Sequence, residues 1–218
     1  MRPNEQPATP SARTTEMRYA ILPDRMPPIP FEKMTDAQRK AVTEVSGGPR
    51  GEVSGPYWPI LRSPGFMMSV HSVSSYTHYD CPLDRRINEM ATLIGLRAWT
   101  QQYAWNSHCR KAIKAGLKPS VAEAIAEGRR PAEMAGDEQI LYDFLTELFA
   151  NKSVSDPTYE KTVVQFGESG IIDILGIVGY YTMLAMIMNV TRTALRGGGP
   201  LPLTPVPAQL GPLAGMLK

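Results

Sequence analysis

The amino-acid sequence predicts an all-α protein, and three observations carry this prediction. Apolar residues recur at helical spacing, capping residues and glycines stand at the segment boundaries, and no segment has a convincing strand pattern. The chain has 218 residues, 43% of them hydrophobic, which is enough for one substantial domain with a buried core. We expect a mobile N-terminal arm over residues 1–30, a helical domain over 31–192 and a Pro/Gly-rich tail over 193–218.

The first half of the domain predicts three helices. The first begins at Thr35, whose hydroxyl can cap "DAQRKAVTEV" and form a capping box with Gln38. After a glycine-rich loop, "GFMMSVHSVSSYTHYD" predicts a second helix, which Pro82 ends. In the third, the apolar positions fall 3, 4, 7 and 11 residues after the first one, which is the helical period. These positions are Ile87, Met90, Ala91, Ile94 and Ala98.

The second half predicts further helices. One contains "QQYAWNSHCRK", residues 101–111, and ends at Gly116, while Ser120 is expected to cap the next. "VAEAIAEG", "DEQILYDFLTELFANK" and "SDPTYEKTVVQFG" continue the helical pattern. Residues 171–190 are apolar and about long enough to cross a bilayer. Because Asp173 and Asn189 interrupt this segment, we expect a helix buried at the centre of the protein or of an oligomer.

Composition excludes several classes of function. A net charge of +2 with both signs interspersed gives no electrostatic basis for binding nucleic acid or an acidic membrane surface. Cys81 and Cys109 form neither a CxxC pair nor a metal-ligand set, and suit a reducing cytoplasm. The N-terminus lacks the apolar stretch of a secretory signal, so we expect a cytoplasmic protein. His71 and His78 have no acidic cluster nearby in the sequence, and we expect no metal site.

A candidate catalytic pair lies on two consecutive predicted helices. The later of these two helices, which contains residues 101–111, carries on one face Gln101, Ala104, Trp105, His108 and Ala112. His108 is either a general base with a carboxylate partner or a core histidine bonded to a backbone carbonyl. Glu89 lies among apolar residues, where a carboxylate is costly unless paired; its partner is either His108 or Arg86, three residues before it. Cys109 points about 100° away from His108 around the helix.

The segments "RRINEMATLIGLRAWTQQYAWNSHCRKAIKAGLKPSVAEAIAEGRRP" and "ILYDFLTELFANKSVSDPTYEKTVVQFGESGIIDILGIVGYYTMLAMIMN" resemble the carboxymuconolactone decarboxylase family, which shares its fold with alkylhydroperoxidase D. The resemblance covers roughly residues 57–190 and rests on the order of helices and on "AGL", "EGRRP" and "GYYT…N". It implies an alkylhydroperoxidase D-like fold of about six helices. It also implies a homo-oligomer, a homotrimer or a homohexamer.

Both branches of this superfamily have a motif around the histidine. The hydroperoxidase branch carries Glu-x11-Cys-x2-Cys-x3-His, and counting from Glu89 gives, in order, Gln101, Ala104 and His108. Thiol peroxidase chemistry needs an attacking and a resolving thiol, so this activity is disfavoured. The decarboxylase-like branch usually reads Tyr-Glu-Trp-x-x-His. Tyr103, Trp105 and His108 match this motif, and Ala104 replaces its glutamate.

The resemblance implies a cofactor-free enzyme that performs decarboxylation or isomerisation on a small carboxylated or lactone compound. In this reading His108 is the acid/base, Glu89 orients it, Arg86 holds an anion, and Tyr103 and Trp105 line the pocket. Two alternatives are a catalytically lapsed relative that binds a small ligand or serves in assembly, and a thiol hydroperoxidase that uses Cys109 alone. The leucines and prolines of the tail predict either an extended segment that lies on a neighbouring subunit as a strap, or a disordered segment.

Overall fold

The computed structural model describes residues 23–195 and 202–203. This part of the chain contains no strand, which confirms the all-α prediction, and it has eight α-helices where about six were expected. They are α1 (Asp36–Gly47), α2 (Tyr57–Ile60), α3 (Pro64–Ser75), α4 (Arg85–Ala98), α5 (Gln102–Lys114), α6 (Pro119–Ala126), α7 (Gly136–Asn151) and α8 (Asp156–Thr191). A 3-10 turn at Phe31–Lys33 precedes α1, and a π-helical turn at Tyr76–Asp80 continues α3.

Local sequence signals account for most helix ends. Thr35 and Gln38 form the predicted capping box, with each side chain accepting the other's backbone N–H. Gly116 follows α5 with φ +101°, a conformation that favours glycine. The expected cap at Ser120 is wrong: α6 begins at Pro119, and the Ser120 hydroxyl donates to Glu133 instead. A proline at the first helical position needs no N–H partner, so the helix starts there without a side-chain cap.

Helix α4 lies at the centre of the fold. Residues 87–97 are all buried, because α5, α6, α7 and α8 pack around them. Burial on every side forces its polar side chains to find partners inside the protein. Asn88 donates to the carbonyl of Thr77, and Thr92 donates to the carbonyl of Asn88, both at 3.0 Å. Glu89 is the acidic member of this buried set, and its partners define the candidate site.

Helix α8 provides the wall opposite α5. Gly167 interrupts it with φ 71° and ψ 169°, and the segment after this kink packs against α4 and the π-helical turn. By length and composition α8 could span a bilayer, and 56% of its most apolar window is buried inside the protein. Asp173, the charged residue within the apolar segment, accepts a hydrogen bond of 2.7 Å from the Tyr76 hydroxyl. The burial fits the core helix that the sequence predicts.

Leu203 of the tail packs against the helical domain. Leu203 is buried, its N–H donates to Gln102 Oε1, and its carbonyl accepts from Gln102 Nε2, both at 2.8 Å. This part of the tail therefore contacts its own chain. Residues 1–22, 196–201 and 204–218 lie outside the described residues, so the expectations of a mobile arm and of a strap on a neighbouring subunit fall largely on them.

Candidate active site

His108 and Glu89 form a buried pair between α5 and α4. The His108 Nδ1–H donates to Glu89 Oε2 at 2.6 Å, and the side chains of both residues are almost fully buried. The turn between the two helices is only three residues long, so α5 folds back along α4 and its inward face meets Glu89. The structure thus brings together the acid and the histidine that the sequence singled out.

Arg85, in the first turn of α4, is a second partner of Glu89. Its Nη2 donates to Glu89 Oε1 at 2.5 Å, and its Nη1 donates to the carbonyl of His78 at 3.1 Å. The alternative ion pair between Glu89 and Arg86 is not formed; Arg85, four residues before Glu89, takes this place. Arg85 was not predicted, although its spacing from Glu89 is that of a helical ion pair.

The surroundings set the protonation states of the pair. Burial raises the pKa of Glu89, but the hydrogen bond from His108 and the charge of Arg85 outweigh it, so the net shift is downward. Burial lowers the pKa of His108, and the neighbouring Glu89 carboxylate offsets this effect only in part. Glu89 is therefore ionised and His108 neutral near pH 7. Because Nδ1 carries the proton, Nε2 of His108 is a proton acceptor.

Tyr181 and His78 form a second polar pair beside His108. The Tyr181 ring packs edge-on against the His108 ring, with centroids 4.7 Å apart, and its hydroxyl donates to His78 Nε2 at 3.2 Å. His78 Nδ1 donates to the carbonyl of Ser74 at 2.9 Å. Burial lowers the pKa of His78 to about 4, so this ring is also neutral near pH 7. From the sequence, His78 was considered only for a metal site, which was not expected, and Tyr181 was not predicted as a site residue.

A cavity of about 320 Å³ lies beside His108. Its buried floor contains Ala104, His108, Tyr180, Tyr181 and Leu184. Toward solvent its lining carries three cations, Arg50, Arg110 and Lys111, and one acid, Glu52. Within the described residues, none of the three cations forms an ion pair with a carboxylate. The lining therefore carries net positive charge next to a neutral base.

Arg50 reaches the cavity from the loop between α1 and α2. Its guanidinium lies 3.9 Å from the centroid of the Tyr57 ring, and its buried Nε has no hydrogen-bond partner in the described part of the chain. The same loop passes close to Tyr103: a Cβ at Gly55, whose φ is +56°, would lie 2.6 Å from that ring. Tight packing on Tyr103 thus holds the loop, and with it Arg50, over the cavity.

Three residues that the sequence analysis considered for the site do not line the cavity. Arg86 donates to Asp137 Oδ2 at 2.6 Å and pairs with Glu138 at the start of α7, so its charge is compensated away from the cavity. Trp105 is buried in the core and does not line the cavity, whereas Tyr103 does. Cys109 is half-buried outside the lining, and burial raises the pKa of its thiol. No three His, Cys, Asp or Glu side chains group for metal binding among the described residues.

Comparisons with known proteins identify the fold. No family model and no curated protein matches the chain. Among solved structures, the alkylhydroperoxidase AhpD core of an uncharacterized peroxidase-related protein from Ralstonia eutropha JMP134 is 20% identical, with a TM-score of 0.63 over 82% of this chain and 93% of that one. An uncharacterized peroxidase-related protein from Silicibacter sp. TM1040 is 15% identical, with a TM-score of 0.62 over 77% and 88%. The chain therefore has an alkylhydroperoxidase D-like helical fold.

Proposed function

We propose that this protein is an enzyme that uses His108 as a general acid/base on a small carboxylated or lactone compound, without a cofactor. The observation that carries the proposal is the 2.6 Å bond from His108 Nδ1 to Glu89, which leaves the other ring nitrogen unprotonated on the side of the cavity. A buried neutral imidazole held by an ionised carboxylate is a typical general base. Glu89 orients the ring and stabilises the imidazolium that forms when His108 takes a proton.

The neutral state of His108 favours isomerisation over decarboxylation, because the first step of isomerisation needs a base. Nε2 removes a proton from a carbon next to a carbonyl group, and the electron pair of the C–H bond moves into the carbonyl. The imidazolium then returns the proton to another carbon of the same conjugated system, so no electrons are gained or lost. Decarboxylation differs because the carbon that loses CO₂ needs a proton, and His108 must then be protonated at the start.

The cations of the cavity support an anionic substrate. Arg50 and Lys111 have no carboxylate partner among the described residues, and a carboxylate or a developing enolate would compensate their charge. Enclosure lowers the pKa of Lys111, and the nearby Glu89 opposes this shift. Arg86, the anion holder expected from the sequence, is already neutralised by two acids and is not part of this proposal.

Thiol peroxidase activity lacks support in the described residues. Gln101 and Ala104 stand where the hydroperoxidase motif has its cysteines. Cys81 and Cys109 do not line the cavity, and burial raises the pKa of both thiols, which lowers their reactivity toward peroxide. We therefore propose proton transfer and not peroxide reduction.

Solvent deuterium exchange tests the proposal on a panel of candidate substrates. The protein is incubated in D₂O with a series of hydroxy acids, oxo acids, unsaturated acids and lactones, and proton NMR follows loss of C–H signals and formation of products. We expect exchange with at least one compound and a decrease of at least about 100-fold in His108→Gln. His71→Gln is the matched control, because His71 lies outside the cavity lining. Equal rates in His108→Gln and the parent, or no exchange with any compound, would overturn the proposal.

A further inference from the structure

The two cavity histidines have the same tautomer for different reasons. The carbonyl of Ser74 can only accept a hydrogen bond, so the proton of neutral His78 lies on Nδ1 and its Nε2 is an acceptor. The ionised Glu89 likewise holds the proton of neutral His108 on Nδ1. Nε2 is therefore unprotonated in both rings: in His78 it accepts the Tyr181 hydroxyl proton, and in His108 it is left for a ligand.

The Tyr181 hydroxyl is also an acceptor toward the cavity. Its one proton is donated to His78 Nε2 at 3.2 Å, which leaves its oxygen lone pairs for a ligand. Burial raises the pKa of Tyr181 well above its usual value, so the phenol stays neutral. The neighbouring Tyr180 hydroxyl faces the side chains of Ser74 and Tyr57. The buried polar floor therefore accepts hydrogen bonds, while Arg50, Arg110 and Lys111 donate them from the cavity's solvent side.

From this polarity we infer that the substrate is a hydroxy acid, whose carboxylate contacts Arg50 and Lys111 and whose hydroxyl donates a hydrogen bond to His108 Nε2 or the Tyr181 oxygen. The inference rests on the proposed function and narrows its substrate class. A hydroxyl is the small group that supplies a donor where the floor has only acceptors. An unsubstituted or an oxo acid of the same size leaves these buried acceptors unpaired.

An enolic hydroxyl would also fit the acid/base chemistry of His108. The O–H bond breaks, its proton moves to Nε2, and the oxygen electron pair forms the C=O bond. The electron pair of the adjacent C=C bond then takes the proton back from the imidazolium at carbon. The step is an enol-to-ketone isomerisation, it begins with neutral His108, and it requires no oxidant or reductant.

Calorimetric titration of the parent protein tests the inference. Three matched acids are compared at each chain length from four to six carbons: the hydroxy acid, the unsubstituted acid and the oxo acid. We expect the hydroxy acid to bind at least about tenfold more tightly than the other two at the best chain length. Equal affinities, or a preference for the oxo acid, would overturn the inference.

Two variants show whether Tyr181 and His78 set the preference. Tyr181→Phe removes one acceptor, and we expect the preference for the hydroxy acid to fall several-fold while binding of the unsubstituted acid is retained. His78→Leu removes the acceptor of the Tyr181 proton, which frees the phenol to donate into the cavity. We then expect the oxo acid to gain affinity relative to the hydroxy acid. His71→Leu is the matched control and should keep the parent's preference.

The outcomes separate this inference from the proposed function. If the three acids bind equally but His108→Gln abolishes exchange, the hydroxy-acid inference fails and the acid/base proposal stands. If no acid binds, the proposal of an anionic substrate fails together with the hydroxy-acid inference. Should either variant unfold, the comparison of the three acids on the parent still decides the inference. An unchanged preference in both folded variants would also overturn it.

Discussion

Burial of His78 makes the stability of the protein depend on pH. Its pKa is about 4 in the folded protein and 6.5 in an exposed chain, so between these values the unfolded chain binds a proton that the folded protein does not. The contribution of the neutral His78 ring to the free energy of unfolding is therefore fully present above pH 6.5 and is lost as the pH falls toward 4. At about 1.4 kcal/mol per pKa unit, it is on the order of 3 kcal/mol.

Urea unfolding at pH 7 and pH 4.5 measures this effect. We predict that the free energy of unfolding of the parent decreases between the two pH values, and that His78→Gln loses less over the same interval because glutamine does not titrate. The Gln side chain can still hydrogen-bond to Tyr181. A His78→Gln variant that loses as much stability as the parent would contradict the assignment of this pH dependence to the partly buried, neutral His78 ring.

The site could be predicted from the sequence only where its residues are close along the chain. Glu89 and His108 lie on consecutive helices, so spacing alone suggested their contact. Tyr181 and Arg50 come from distant elements, and only tertiary packing brings them to the cavity. Arg86 was assigned to the site because a helical spacing cannot show which acids another helix presents. In the structure Arg86 forms an ion pair with Asp137.

At the scale of elements, Arg86 fixes the start of α7 to the start of α4. Its side chain is 20% exposed and that of its partner Glu138 only 4%. We predict that Arg86→Met lowers the free energy of unfolding by about 2–4 kcal/mol, because it leaves a buried carboxylate unpaired. Arg130→Met removes an exposed pair with Asp143 and should cost about 1 kcal/mol or less. Equal losses in urea unfolding would contradict this account.

The loop that carries Arg50 depends on glycine at one position. We predict that Gly55→Ala lowers the free energy of unfolding by about 1–3 kcal/mol and weakens binding of acidic ligands, since φ is positive and the new Cβ meets Tyr103. Gly51→Ala is the matched control: φ is +73°, but nothing lies within 4 Å, so only backbone strain of about 1 kcal/mol is expected. Loss of ligand binding in Gly51→Ala alone would contradict this prediction.

The helices themselves were largely predictable because their signals are local. The capping box at Thr35 and the glycine after α5 are read from neighbouring residues, and both act as the sequence predicts. The start of α6 was misplaced by two residues: the predicted cap was Ser120, whereas Lys118 precedes the first helical residue, Pro119, which suits the first position of a helix. The π-helical turn carrying His78 has no comparable sequence signal.

At the scale of the whole molecule, α8 has an apolar outward face. Ile172 and Val190 are 68% and 62% exposed, and Gly176 and Gly179 between them are also exposed. An exposed apolar face of this kind supports the homotrimer or homohexamer that the resemblance implies. We predict that light scattering shows an oligomer and that Ile172→Asp lowers its mass. Val164→Asp, before the kink, is the control. A monomeric parent, or an Ile172→Asp variant of unchanged mass, would contradict this.

The protonation of His108 tests the central claim most directly. Nitrogen-15 spectra of protein labelled in its histidine rings report which nitrogen carries the proton, and loss of a signal in His108→Gln assigns the resonance. At pH 7 we predict a neutral His108 ring with its proton on Nδ1 and a bare Nε2, because Glu89 accepts that hydrogen bond. A proton on Nε2, as the other tautomer or as imidazolium, would contradict the account, since His108 could not then accept a proton from a bound substrate.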